Sequence, residues 1–134
     1  MPFKELEHTA DVRIRVDGST LDEVFAESAR GMFQVMYGSC RGESVSRTLS
    51  LESSDLDSLL VEFLSELLFI SEVDGVVFCS FEVKIMGNSL DARLFGEDFD
   101  RSRHEGREIK GISYSGLSIE QKGDVYTVEI LFDV

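Results

Sequence analysis

Residues able to do chemistry gather near the two ends of the sequence. Near its start, His8 and Asp11 stand three apart in the run His8-Thr9-Ala10-Asp11. An imidazole and a carboxylate placed where a polar loop meets a strand can share a proton or a cation. The same residue types also make an ordinary polar turn. At the far end the sequence reads Ile130-Leu131-Phe132-Asp133-Val134. With a patterned strand running to the last residue, the Val134 α-carboxylate lies beside the Asp133 side chain. Two carboxylates so close repel one another. A divalent cation, a neighbouring Lys or Arg, or plain solvation each relieves that repulsion. If the first and last strands bring Asp11 to Asp133, three hard oxygen donors converge. Such a set suits Ca2+, Mg2+ or Mn2+ rather than Zn2+. Lys110, between Ile109 and Ile112, is either a solvated strand lysine or a cation placed to meet phosphate or an acidic partner. Asp100 and His104, in the polar stretch 96–106, carry the same two readings.

The elements that must position these residues are legible from periodicity. Residues 11–17 alternate, with Val12, Ile14 and Val16 on one side and charged residues on the other, as in a half-buried strand. Thr20 with Glu23 forms a capping box ahead of a helical stripe from Leu21 to Met36, and Gly38 closes it. Residues 45–51 read as a strand whose inward face is broken by Arg47, which places it at an edge or leaves it only partly covered. Ser54 opens a second helix reaching about Glu72, with Leu56, Leu59, Leu60, Phe63, Leu64, Leu67 and Leu68 on its apolar face. Beyond Gly75 the period becomes alternating. Val77, Cys79, Phe81, Val83 and Ile85 share a face, and Gly87-Asn88 turns a hairpin. The stretch 96–106 is the longest break in pattern and the best place for a functional loop. Residues 108–119 and 125–133 read as a second hairpin around Lys122-Gly123-Asp124. Two one-faced helices and several alternating strands predict an α+β two-layer sandwich: a largely antiparallel sheet with both helices on one face. One domain is expected to span residues 1–134.

Composition excludes several functions. The 134 residues hold 26 acidic against 13 basic side chains, a formal charge of −13. A face that neutralises many phosphates needs clustered Lys and Arg, so autonomous nucleic-acid binding is disfavoured. A polybasic membrane anchor is disfavoured on the same ground. No apolar run approaches the ~18–20 residues of a membrane span. The opening residues also lack the apolar region of a signal peptide. Cys40 and Cys79 are too few for a disulfide scaffold and lack zinc-ligand spacing. With Val77, Phe78 and Phe81 around it, Cys79 reads as a core thiol, and the expected location is the reducing cytoplasm. No phosphate-cradling glycine motif, nucleophile elbow or zinc-protease helix motif is present.

In its assembly of motifs, the sequence resembles the archease family. The resemblance rests on His8-Thr9-Ala10-Asp11-Val12 and on the two helices, with Ala29-x-x-Met32-Phe33-x-x-Met36 and Leu64-x-Glu66-Leu67-Leu68. It rests also on Gly96-Glu97-x-x-x-Asp100 with His104, on Ile109-Lys110-Gly111-Ile112-Ser113-Tyr114 and on the closing Asp133-Val134. It covers essentially the full chain in order. One departure is Tyr114-Ser115, where the family commonly continues Tyr-His.

The resemblance implies a small protein cofactor, not an enzyme. Its partner would be the RtcB-type RNA ligase, which joins tRNA halves and other RNAs with cyclic-phosphate ends. The cofactor would promote GTP-dependent guanylylation of that ligase, so that it turns over repeatedly in tRNA splicing. The resemblance places a divalent-metal site at Asp11, Asp133 and Val134, and a functional lysine at Lys110. His8 belongs to the same opening motif. Two readings from other classes remain: a general protein-binding chaperone without metal chemistry, and a small metal-dependent phosphohydrolase.

Overall fold

The structure, a computed structural model of the chain, describes residues 11–134. Its elements are β1 (Asp11–Gly18), α1 (Leu21–Tyr37), β2 (Val45–Glu52), α2 (Leu56–Asp74), β3 (Val76–Met86) and β4 (Ser89–Asp98). The short β5 (Gly111–Ile112) and β6 (Glu120–Lys122) precede β7 (Val125–Asp133).

Local chemistry sets the helix ends. The Thr20 hydroxyl accepts the Glu23 N–H at 3.1 Å, and the Glu23 carboxylate accepts the Ser19 N–H at 3.3 Å. The reciprocal half of the capping box therefore reaches one residue further back than the Thr20–Glu23 pairing alone implies. The second helix is capped by Asp55, not Ser54, its carboxylate accepting the Ser58 N–H at 2.8 Å. A carboxylate suits the positive end of a helix better than a hydroxyl does. That helix runs two residues past Glu72 and ends where Gly75 adopts a left-handed conformation, φ 65°.

The expected α+β arrangement of antiparallel strands with two helices is present, with the strands shared between two sheets. One has the order β2-β4-β3, so β2 is an edge strand, the first of the two readings that Arg47 left open. The other has the order β1-β7-β5, with β6 also pairing with β7. Helix α1 packs against β3 of one sheet and against β1 and β7 of the other. Helix α2 packs on β3, β2 and β5 and touches α1. Phe25, Met32, Phe63, Leu64, Phe78 and Phe132 are essentially sealed from solvent at this junction. Phe33 meets the rings of Phe78 and Phe81, each at 5.7 Å between centroids.

Two strand readings need correction. Of residues 108–119, only Gly111–Ile112 pairs with β7, and the ladder resumes at Glu120–Lys122. The gap is rich in weak strand formers, and it turns at Gly116, φ 74°, where the Leu117 N–H meets the Tyr114 carbonyl at 3.2 Å. In β3 the alternation slips. Val76, Val77 and Phe78 are buried in succession, and the register against β4 shifts between Phe78 and Ser80. Cys79 is the extra residue of this bulge. Gly96 stands opposite, because a Cβ there would lie 2.1 Å from the Val77 carbonyl oxygen.

Candidate functional site

The register of β1 against β7 brings the two ends of the sequence together. Asp11 pairs with Asp133, Val12 with Phe132 and Arg13 with Leu131. Residues directly opposite in an antiparallel pair direct their side chains to the same face. Ile130 and Phe132 enter the core, so alternation turns Asp11 and Asp133 outward, and both are exposed. On the other side of β7, Gly111 pairs with Asp133, and the Lys110 N–H donates to the Asp133 carbonyl at 2.7 Å. Lys110 is exposed and Val134 half-buried. Backbone hydrogen bonding therefore holds Asp11, Asp133 and Lys110 at one end of one sheet.

Charges of both signs meet at this end. Arg13, two residues along the same face, is paired with Glu129 at 3.3 Å. Among the described residues, no hydrogen bond or ion pair engages the Asp11 or Asp133 carboxylate. Asp11 and Asp133, exposed and in register next to Val134, offer only oxygen donors, and among the described residues neither carboxylate has an ion-pair partner. That set fits a hard divalent cation. His8 lies outside the described residues.

Asp100 and His104 belong elsewhere. His104 is 4% exposed, so the expected role in contacting a partner or phosphate is corrected to a structural one. Its Nδ1 accepts the Asp100 N–H at 2.8 Å, which leaves the proton on Nε2 to donate to the Glu97 carboxylate at 2.5 Å. Arg103 also donates to Glu97. Burial pushes the Glu97 carboxyl up, yet the His104 hydrogen bond, the Arg103 charge and the Gly42 N–H together hold it below the usual carboxylate range. Asp100 folds onto its own loop, accepting the Ser102 N–H at 3.0 Å and the Ser102 hydroxyl at 2.8 Å. The loop is fixed at its far end by the Arg107 N–H on the Val35 carbonyl, 2.9 Å. Gly106 makes that approach possible, since a Cβ there would lie 2.4 Å from the Val35 and Met36 carbonyl oxygens. The stretch 96–106 is thus a buttress leading to Lys110, and Glu97 is its hub.

A second cluster was not legible from spacing. Cys40 and Cys79 are joined in a disulfide, with Cα atoms 5.2 Å apart. The reading of Cys79 as a core thiol is corrected: it is half-buried, and the bulge swings it toward the loop after α1. A Cys40 Sγ, a Glu97 oxygen and a His104 ring nitrogen also lie within 4.8 Å of one another. They do not make a metal centre. A ligating histidine donates its second N–H outward, whereas Nδ1 of His104 is already an acceptor and Nε2 is the donor. The signal in the sequence was Gly96-Glu97 followed by His104, which needed the β4 bulge and the loop turn to acquire meaning.

Comparison with known proteins gives a consistent result. The model of the Archease protein family (MTH1598/TM1083) matches residues 3–134. The curated protein archease of Methanosarcina acetivorans is 38% identical over 140 residues, covering 98% of this chain and 95% of that protein. The protein archease of Pyrococcus abyssi is 40% identical over 128 residues, covering 91% of this chain and 90% of its own. The solution structure of Methanobacterium thermoautotrophicum protein 1598 superposes with a TM-score of 0.83 at 29% identity, covering 94% of each chain. The crystal structure of a Thermotoga maritima archease, described as a possible chaperone, has a TM-score of 0.71 at 22% identity. It covers 95% of this chain and 93% of that one, and supports the fold alone. With the family model spanning nearly the whole sequence and the α+β fold matching in detail, this chain belongs to the archease family.

Proposed function

We propose that this protein is an accessory factor for an RtcB-type RNA ligase, promoting the ligase's GTP-dependent guanylylation and its repeated turnover in tRNA splicing and RNA repair. The observation that carries this reading is the in-register pairing of Asp11 with Asp133, with Lys110 tied to the same residue. Asp11, Asp133 and the Val134 carboxylate would hold a divalent cation, Ca2+, Mg2+ or Mn2+. Such a cation would neutralise the carboxylates and supply a Lewis acid for triphosphate oxygens. Lys110 offers a positive charge on the same end of the sheet, suited to a phosphate or an acidic partner group. The chain's own part is to present these groups on rigid, hydrogen-bonded backbone. The net charge of −13 supports contact with the ligase protein, RNA being reached through the ligase. A ligase of tRNA places its partner in the cytoplasm. Among the described residues, no helix is long and apolar enough to cross a membrane.

A chaperone-type function is the second reading, and one feature favours it: Phe69 and Val73, one helical turn apart on α2, are 60% and 64% exposed. Multiple-turnover ligation with GTP separates the two. The first reading expects a catalytic amount of this protein to raise the number of RNAs joined per ligase by roughly tenfold or more. A ligase indifferent to the protein in both single and multiple turnover refutes it. Turnover of a phosphoester by the isolated protein would instead favour a phosphohydrolase.

A further inference from the structure

We propose that Cys40 and Cys79 form a thiol–disulfide exchange site that reversibly fastens the segment between α1 and β2 to the β3–β4 hairpin. The pair is positioned by the fold. The two Cα atoms stand 5.2 Å apart, within the span a disulfide bridges, although 39 positions separate them in sequence. Cys79 faces Cys40 because it is the unpaired residue of the β3 bulge. That bulge depends on the close approach of Gly96 to the Val77 carbonyl. Both cysteines are half-buried and line one surface pocket together with Arg30, Ser39 and Arg41. A thiol reagent therefore has access to the pair.

The co-reactant is a disulfide compound, small or protein-borne. In closing, the thiolate of one cysteine attacks that disulfide, expels one thiolate and forms a mixed disulfide. The second cysteine's thiolate then attacks the mixed sulfur on this chain and expels the other half. One S–S bond is made here and one is broken in the reagent. Two protons and two electrons pass to the reagent, which leaves as two thiols.

The consequence falls on residues 38–44, which lack helix and strand. Their second anchor is the Gly42 N–H on Glu97, the carboxylate that also holds His104 and Arg103. Oxidation pins this segment at Cys40, and reduction leaves it held at Gly42. Nothing in the inference involves Asp11 or Asp133, so it stands apart from the ligase reading.

The test equilibrates the full chain in graded mixtures of reduced and oxidised glutathione, traps free thiols with iodoacetamide and weighs the protein. The expected result is a switch between no adduct and two adducts. Oxidised protein should melt roughly 10 °C higher than reduced. Amide hydrogen exchange at residues 38–44 should be roughly tenfold slower in the oxidised form. Cys40→Ser and Cys79→Ser, either alone sufficing, should melt like the reduced wild type and ignore the glutathione ratio. Two adducts in fully oxidised buffer, or equal exchange at 38–44 in both buffers, would overturn the proposal.

Discussion

Glu97 keeps its charge in a largely buried place because donors converge on it from His104, Arg103 and Gly42. The Glu97→Gln variant is expected to lose about 2 kcal/mol, since the buried His104 N–H then meets a weaker, neutral acceptor. The pH dependence has a definite sign. The Glu97 carboxyl is held lower in the fold than in the unfolded chain, so acidification loads more protons on the unfolded chain. Stability is complete above the ordinary carboxylate range and falls as pH drops through and below it. Denaturant titrations from neutral to acid pH should show the wild type losing more stability than Glu97→Gln does. Equal losses would mean that His104 and Arg103 do not hold the carboxylate. On the β1–β7 pair, Asp11 and Asp133 face solvent with no partner among the described residues. Asp133→Asn should leave the melting temperature nearly unchanged and weaken Mn2+ binding by at least about tenfold, measured by calorimetry.

Each element is explained by a handful of residues, and its ends discriminate between chemically similar neighbours. Asp55→Ala should lower the melting temperature by a few degrees, while Ser54→Ala should barely move it, because Asp55 alone accepts the Ser58 N–H. Thr20→Ala should cost about 1 kcal/mol in equilibrium unfolding for the same reason at α1. Both helices, the first strand, the edge position of β2 and the Gly87-Asn88 hairpin were readable in the sequence, since each is set by local periodicity and turn chemistry. What escaped depended on pairing at a distance. The bulge at Cys79 follows from how β4 approaches at Gly96, and the fragmentation of residues 108–119 follows from the turn at Gly116. The burial of His104 required a loop to fold back on β4. The candidate site was half legible: residue types marked Asp11, Asp133 and Lys110, but only the β1-β7-β5 register brings them together.

For the molecule as a whole, a charge of −13 on 134 residues first argued against nucleic acid as a direct partner. Under the proposed ligase function it would take on a more specific role. Long-range attraction would speed encounter with a basic face of the ligase, so the association rate should fall steeply as salt rises past physiological strength, where the Debye length is ~8 Å. Stopped-flow association measured across salt concentrations checks this. A flat profile would assign the charge to solubility alone. Most of the acidic residues are spread over the surface, whereas under the proposed function the two carboxylates set in register at the end of one sheet would be the working part. The proposed role rests on one measurable step, guanylylation of the ligase, followed with labelled GTP while wild type, Asp11→Asn or Asp133→Asn is added in catalytic amount. Wild type is expected to restore the guanylylated ligase after each round, while either variant, folded and melting like wild type, does so at least about tenfold more slowly. Full activity in both variants would contradict it.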